Sequence, residues 1–161
     1  MIILGIDPGF ARTGWGVVEY DRGKLRPVDY GCIETMKGED FSDRLSFLYD
    51  EIVKKIKKFK PDVVAVEELF FYNNVTTAIK VSHGRGVILL AAKKARVPIR
   101  EFTPLQVKQA ISGYGKADKI QVQKMVRALL NLREIPKPDD AADALAIAIC
   151  AASNKLCQSL N

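Results

Sequence analysis

Ile2-Ile3-Leu4-Gly5-Ile6-Asp7-Pro8-Gly9 opens the chain: an unbroken apolar run that ends on a carboxylate and a Pro-Gly turn. A run this short, bounded by turn residues and rich in β-branched side chains, reads as a strand buried on both faces. Asp7 then stands at its carboxyl end. Working outward, Thr13 to Tyr20 sets Trp15 and Val17 against Gly14, Gly16 and Val18, the period of a second strand. Asp21-Arg22-Gly23-Lys24 is a tight-turn signal, and Leu25 to Thr35 makes a third strand. Consecutive strands with short connections predict an antiparallel meander.

Beyond Thr35 the period changes. Phe41, Leu45, Leu48, Ile52, Ile56 and Phe59 recur at helical spacing, with Ser42 as the expected N-cap and Pro61 as the stop. Asp62 to Glu68 is a fourth, buried strand around Val63-Val64-Ala65-Val66. A long helix follows over Asn74 to Arg96, carrying Gly84 and Gly86. Val97 to Thr103 is a fifth strand, and Thr103-Pro104 opens a helix with a capping threonine and proline at the first helical position. Gly113-Tyr114-Gly115 is a loop, Asp118 to Leu130 a helix, Pro136-Lys137-Pro138 a stop, and Asp139 towards Asn154 the last helix. The fold class is α/β: a five-stranded mixed sheet flanked by helices. No repeat, low-complexity tract or linker interrupts it, so residues 1–161 are expected to form a single domain.

With 161 residues, 48% apolar and 27% charged, the chain has enough material for a core and the balance of a soluble globular protein. A cleavable leader would have to contain Asp7, and no apolar stretch is as long as a membrane span, so a cytoplasmic protein is expected. The three cysteines, Cys32, Cys150 and Cys157, form no C-x-x-C pair and read as reduced structural thiols. The net charge of +6 favours a polyanionic partner. Lys108, Lys116, Lys119, Lys124 and Arg127 gather in one late stretch, suited to phosphate contacts, although Lys124 and Arg127 fit a solvated helix face equally well.

Four carboxylates are placed for a hard metal ion. Asp7 and Glu67 end apolar strands. Asp140 and Asp143 lie three apart in Asp139-Asp140-Ala141-Ala142-Asp143-Ala144, on one face of a helix. If the first and fourth strands are parallel neighbours, Asp7 and Glu67 meet at their carboxyl ends. Alternation puts Glu67 on the Val63 and Ala65 face and Glu68 on the other, so Glu67 is the expected ligand. Asp139 suits the N-cap of the last helix, and Asp140 by itself also suits an acidic first turn. Asp143, on an otherwise alanine-rich helix, is harder to account for without a partner, and small alanines allow that helix close to the sheet. Like charges about 4 Å apart repel by about 4 kcal/mol at an effective dielectric near 20, so a cluster of four calls for divalent cations. Oxygen donors point to Mg²⁺ or Mn²⁺ rather than zinc or copper. The lone histidine, His83, matches no ligand spacing and reads as an ordinary helix residue.

The motifs Gly5-Ile6-Asp7-Pro8-Gly9, Ala65-Val66-Glu67, Val107-Lys108-Gln109 and Asp140-Ala141-Ala142-Asp143-Ala144-Leu145-Ala146-Ile147-Ala148 together closely resemble the RuvC family of Holliday-junction resolvases, in order and spacing, over roughly residues 2 to 152. The resemblance implies a ribonuclease H-like fold, a homodimer, and Mg²⁺-dependent cuts in two symmetrically placed strands of four-way junction DNA. It also implies partnership with the branch-migration motor subunits RuvA and RuvB. By position, Asp7, Glu67, Asp140 and Asp143 match the catalytic, metal-holding acids. Asp140 is the least fixed of them, some members carrying histidine there. Phe70 matches the aromatic that stacks on bases near the junction centre, and Lys108 and Lys119 match basic residues beside the cut strand. The residues themselves agree, because Phe70-Phe71-Tyr72 just past Glu67 cannot all be buried on one face, and an exposed ring can stack on a base.

Three other readings stay open on sequence. An RNA-processing nuclease of the same superfamily would share the early Asp-Pro-Gly turn. A junction-binding protein without catalysis would leave the acids unused. An actin-like kinase shares the phosphate-loop pattern but needs two such domains.

Overall fold

The structure is a computed structural model that describes residues 1–68 and 75–158. Its elements are β1 (Ile2–Asp7), β2 (Arg12–Asp21), β3 (Lys24–Glu34), α1 (Phe41–Phe59), β4 (Val63–Glu67), α2 (Val75–Lys94), β5 (Ile99–Phe102), α3 (Pro104–Ser112), α4 (Lys119–Leu129) and α5 (Asp139–Gln158). The strands form one five-stranded sheet in the order β3-β2-β1-β4-β5. The meander is antiparallel, whereas β1–β4 and β4–β5 are parallel. The mixed sheet read from the sequence is therefore present, and the crossovers through α1 and α2 supply the long connections that parallel pairs require.

β1 is central and buried on both faces, with Ile3, Leu4 and Ile6 fully enclosed. Ile3 joins Val18, Val63 and Ala65 beneath α3, α4 and α5. Leu4 and Ile6 join Val17, Val64 and Val66 beneath α1 and α2. The β2–β3 turn places Arg22 at φ 45° and Gly23 at φ 84°, the positive pair that a two-residue hairpin needs to match strand twist.

Two helix starts differ from expectation. α1 has Asp40, not Ser42, at its N-cap, and no side chain caps it. Ser42 falls inside the first turn because Arg44 N–H already bonds the Asp40 carbonyl at 3.1 Å. At α5 the chain turns on Pro138, whose carbonyl accepts from Ala141 N–H at 2.9 Å. That leaves the Asp139 carboxylate to pair with Lys119 instead of capping the helix. Thr103 caps α3 as expected, in a reciprocal capping box with Gln106. α4 has the same device from Asp118 and Gln121.

α5 lies unusually close to the sheet. A Cβ on Gly5 would stand 2.2 Å from the Ala144 carbonyl oxygen, and one on Gly14 1.9 Å from that of Asp140. Gly5 of β1 thus meets Ala144, and Gly14 of β2 meets Asp140, backbone to backbone. Among the described residues, no helix is long and apolar enough to cross a membrane.

Candidate active site

Asp7 is the last residue of β1 and Glu67 the last of β4. The parallel register runs Ile3 to Val63, Leu4 to Val64, Gly5 to Ala65 and Ile6 to Val66. One further step brings Asp7 and Glu67 abreast at the carboxyl edge, as the expected parallel pairing requires. Gly14 is the β2 partner of Asp7. Because the Asp140 backbone rests on Gly14, the close approach of α5 delivers Asp140 and, one turn on, Asp143 to the same edge.

The electrostatics record this convergence. Burial pushes the Asp7 carboxyl up to about 8, with Glu67, Asp143 and Asp140 adding repulsion and Lys119 opposing. Glu67 is pushed up to about 7, first by burial and then by Asp143, with Lys108 opposing. Burial also raises Asp143, and Asp139 and Asp140 add to it against the pull of Lys119. Lys119 loses some preference for charge through burial, but Asp143 and Asp139 more than offset that and its pKa rises. A carboxylate keeps an elevated pKa when its charge lacks compensation, so the site lacks positive charge where Asp7 and Glu67 meet.

A cleft of ≈ 260 Å³ opens there, lined by Asp7, Glu67, Asp143, Lys108, Lys119, Pro104, Val107, Val122 and Ala146. Asp140 lies on an adjoining depression with Arg12, Lys137 and Asp139, and Lys119 borders both. Lys119 Nζ sits 3.2 Å from Asp139 Oδ2 and 3.3 Å from Asp143 Oδ2. With Asp143 engaged in this way, no three Asp, Glu, His or Cys side chains among the described residues are arranged as a ready metal cage. The donor set nonetheless fits a hard divalent ion. The acidic side chains lining the cleft offer oxygen donors with no histidine or cysteine among them, and the two most buried carboxyls are those held furthest from ionisation.

Of the residues expected to act, six converge on this edge: Asp7, Glu67, Asp140, Asp143, Lys108 and Lys119. Phe70 lies outside the described residues, with Phe71 and Tyr72. Glu68 does not line the cleft; its N–H bonds the Phe102 carbonyl at 2.8 Å. His83 packs edge-on against Phe41, with Nδ1 2.7 Å from the Ile79 carbonyl oxygen. The Cys32 thiol is raised to about 11, chiefly by burial, which makes it a poor nucleophile. Sequence reasoning missed the basic rim of Arg12 and Lys137 and the glycine half of the α5 contact. The second had a signal in Gly14 and Gly16, two small residues alternating on one face of a strand. The first had none, since Arg12 at the start of β2 and Lys137 in the turn before α5 are brought together only by the fold.

The sequence matches the family described as crossover junction endodeoxyribonuclease RuvC over residues 3–151. A relative of that name from Ruminiclostridium cellulolyticum is 60% identical over 150 residues, covering 93% of this chain and 90% of the relative. The solved Thermus thermophilus RuvC superposes with a TM-score of 0.90 at 38% identity, covering 98% of this chain and 97% of that one. The same protein in complex with a Holliday junction substrate gives 0.87 at 37% identity, over 97% and 96% of the two chains. A family match across nearly the whole length, and a superposition this close, make the fold ribonuclease H-like and the chain a nuclease that uses divalent metal. The protein belongs to the RuvC family of crossover junction endodeoxyribonucleases.

Proposed function

We propose that residues 1–161 act as one nuclease domain that resolves four-way DNA junctions by paired, metal-dependent cuts. The observation that carries this reading is the meeting of Asp7 and Glu67 in a lysine-bordered cleft, where their pKa values rise to about 8 and about 7. Asp7, Glu67, Asp140 and Asp143 would hold Mg²⁺, or Mn²⁺ in its place. Held there, such an ion would supply positive charge for ionising an attacking water and for the leaving oxygen of the phosphodiester. Lys108 and Lys119 neutralise and orient the phosphate, and Pro104, Val107, Val122 and Ala146 give the cleft an apolar wall that limits water. Phe70 stacks on an unpaired base at the opened junction centre.

Two symmetric cuts call for two copies. α2 carries a surface suited to a homodimer: Ile79 is 52% and Leu90 53% exposed, and Gly86 between them has open space where a Cβ would be. A shallow groove lined by Leu45, Ser82, His83, Gly86, Val87 and Leu90 runs alongside. An unpaired apolar stripe of this kind marks an association surface. RuvA and RuvB are the expected partners, and the cytoplasm the expected location.

The test uses an end-labelled mobile four-way junction and a matched linear duplex, with and without Mg²⁺. Paired nicks on the junction alone, only with metal, are expected, and Asp7→Asn should abolish them while leaving junction binding in place. Preference for structured RNA would favour an RNA-processing enzyme. Binding without cutting under either ion would make this a junction-binding module.

A further inference from the structure

Arg85 belongs to α2, and no described side chain of that helix lines the cleft. Its own side chain is only 20% exposed. The guanidinium Nε donates to the backbone carbonyl oxygen of Glu67 at 3.2 Å. Its Nη2 pairs with Oε2 of Glu101. The other polar atom of the same peptide is held from β5, where the Phe102 carbonyl accepts the Glu68 N–H at 2.8 Å. Glu101 and Phe102 are themselves the β5 partners of Val66 and Glu67.

The Glu67–Glu68 peptide plane is therefore fixed at both its oxygen and its nitrogen. The peptide is planar and leaves two soft dihedrals per residue, so fixing this plane fixes ψ of Glu67, while the strand ladder fixes φ. Together these set the direction of the Glu67 Cα–Cβ bond and the angle at which its carboxylate meets Asp7. Without Arg85, the last carbonyl of β4 would lose that donor at the residue whose side chain enters the cleft. The planar guanidinium can serve the carbonyl and Glu101 in one fixed fork, which an ammonium cannot reproduce.

We propose that Arg85 is a positioning residue for Glu67: by clamping the Glu67 carbonyl against Glu101, it aims the carboxylate into the metal-binding cleft and links α2 to the chemistry. This rests on the reading of Glu67 as a metal ligand. An ion pair that merely ties α2 to β5 would affect stability and leave metal affinity alone.

The two are separated by calorimetric titration of the full-length protein with Mn²⁺, together with junction binding and single-turnover junction cleavage across Mn²⁺ concentrations. Arg85→Lys should weaken Mn²⁺ binding and shift the cleavage midpoint by about tenfold, the scale for residues that orient a ligand, with junction affinity within about twofold. Glu101→Gln should shift both in the same direction by less. In a Glu67→Gln background, Arg85→Lys should have no further effect on Mn²⁺ affinity. The proposal is overturned if Arg85→Lys lowers the melting temperature with the Mn²⁺ midpoint unmoved, or if it shifts affinity equally in the Glu67→Gln background. Should Arg85→Lys fail to fold, Glu101→Gln decides by the same readouts. If Glu67→Gln by itself leaves Mn²⁺ affinity and cleavage unchanged, the metal-ligand assignment falls and the positioning role falls with it.

Discussion

The two faces of the sheet are packed by opposite means. Under α1 and α2 the contact is made by bulk: Leu4, Ile6, Trp15, Val17, Leu48, Ile52 and Ile88 interdigitate as side chains. Under α5 the contact is made by the lack of bulk, with Gly5 and Gly14 against the backbone of Ala144 and Asp140. Side chains can change rotamer to absorb an error, whereas backbone against backbone cannot. The site uses the unforgiving face: α5 carries Asp140 and Asp143, and their distance from Asp7 is set by peptide atoms rather than by flexible chains. The difference teaches where tolerance ends. Interdigitated side chains can be repacked, and a backbone-to-backbone contact that positions carboxylates cannot.

Gly14→Ala should break that contrast most severely. The added methyl would lie 1.9 Å from the Asp140 carbonyl oxygen, and no rotamer relieves it. Overpacking of this kind costs on the order of 3 kcal/mol. A displacement of about 1 Å at the carboxylates would lower cleavage by roughly 10²-fold. Urea unfolding with single-turnover cleavage measures both. Near-normal cleavage would mean that the α5 contact does not set the site.

Asp7→Asn should separate stability from activity on the same face. Asp7 binds its proton near pH 8 when folded, against an ordinary value of 3.8, so between those values the folded chain holds more protons than the unfolded one. Stability without metal therefore falls as pH rises through that window. Glu67, raised from 4.5 to about 7, acts in the same direction. The variant should abolish cleavage, yet melt higher than the parent at pH 8 by about 2–4 °C for each kcal/mol relieved, with a flatter pH dependence. Since Mn²⁺ competes with protons for these carboxylates, its stabilisation of the parent should be larger at pH 8 than at pH 6. An unchanged pH profile in melting scans of the Asn variant would show that Asp7 is not strained.

Much of this was legible from local pattern. The strand of Ile2 to Ile6, the helical spacing from Phe41 to Phe59 and the Thr103-Pro104 helix start each follow from neighbours along the chain, and the structure contains all three. So too was which of the two glutamates lines the cleft, Glu67 and not Glu68, because strand alternation decides it. Less legible was anything set by a partner distant in sequence. Asp139 reads as a cap from its neighbours, but Lys119, twenty positions earlier, takes its carboxylate. Asp140 shares a helix face with Asp143 yet borders a different depression, because Lys119 stands between the two. The bond from Arg85 to the Glu67 carbonyl has no trace in periodicity, since an arginine on a helix carries no sign of what it will reach.

The smallest expected effect sharpens the comparison from the other side. Ile52 is fully buried in α1, packed among large side chains. Ile52→Val removes one methylene, and neighbours such as Leu48 and Ile56 can relax into the space. The cost should be about 0.5–1.5 kcal/mol, with cleavage unchanged within about twofold, since nothing at Asp7 or Glu67 depends on the exact height of α1 at its middle turn. The amino-terminal end of α1 is a different matter. There Phe41 stacks on Phe10, at 4.9 Å between ring centres, and Phe10 follows the turn that begins at Asp7. Phe41→Ala should therefore reduce cleavage beyond what its loss of stability explains, while Ile52→Val should not. Measured on one helix, the pair tests whether the bulky face is indifferent to the site because of its chemistry or only because of its distance. A loss of cleavage in Ile52→Val comparable to that in Phe41→Ala would mean that the bulky packing under the middle of α1 also positions the carboxylates.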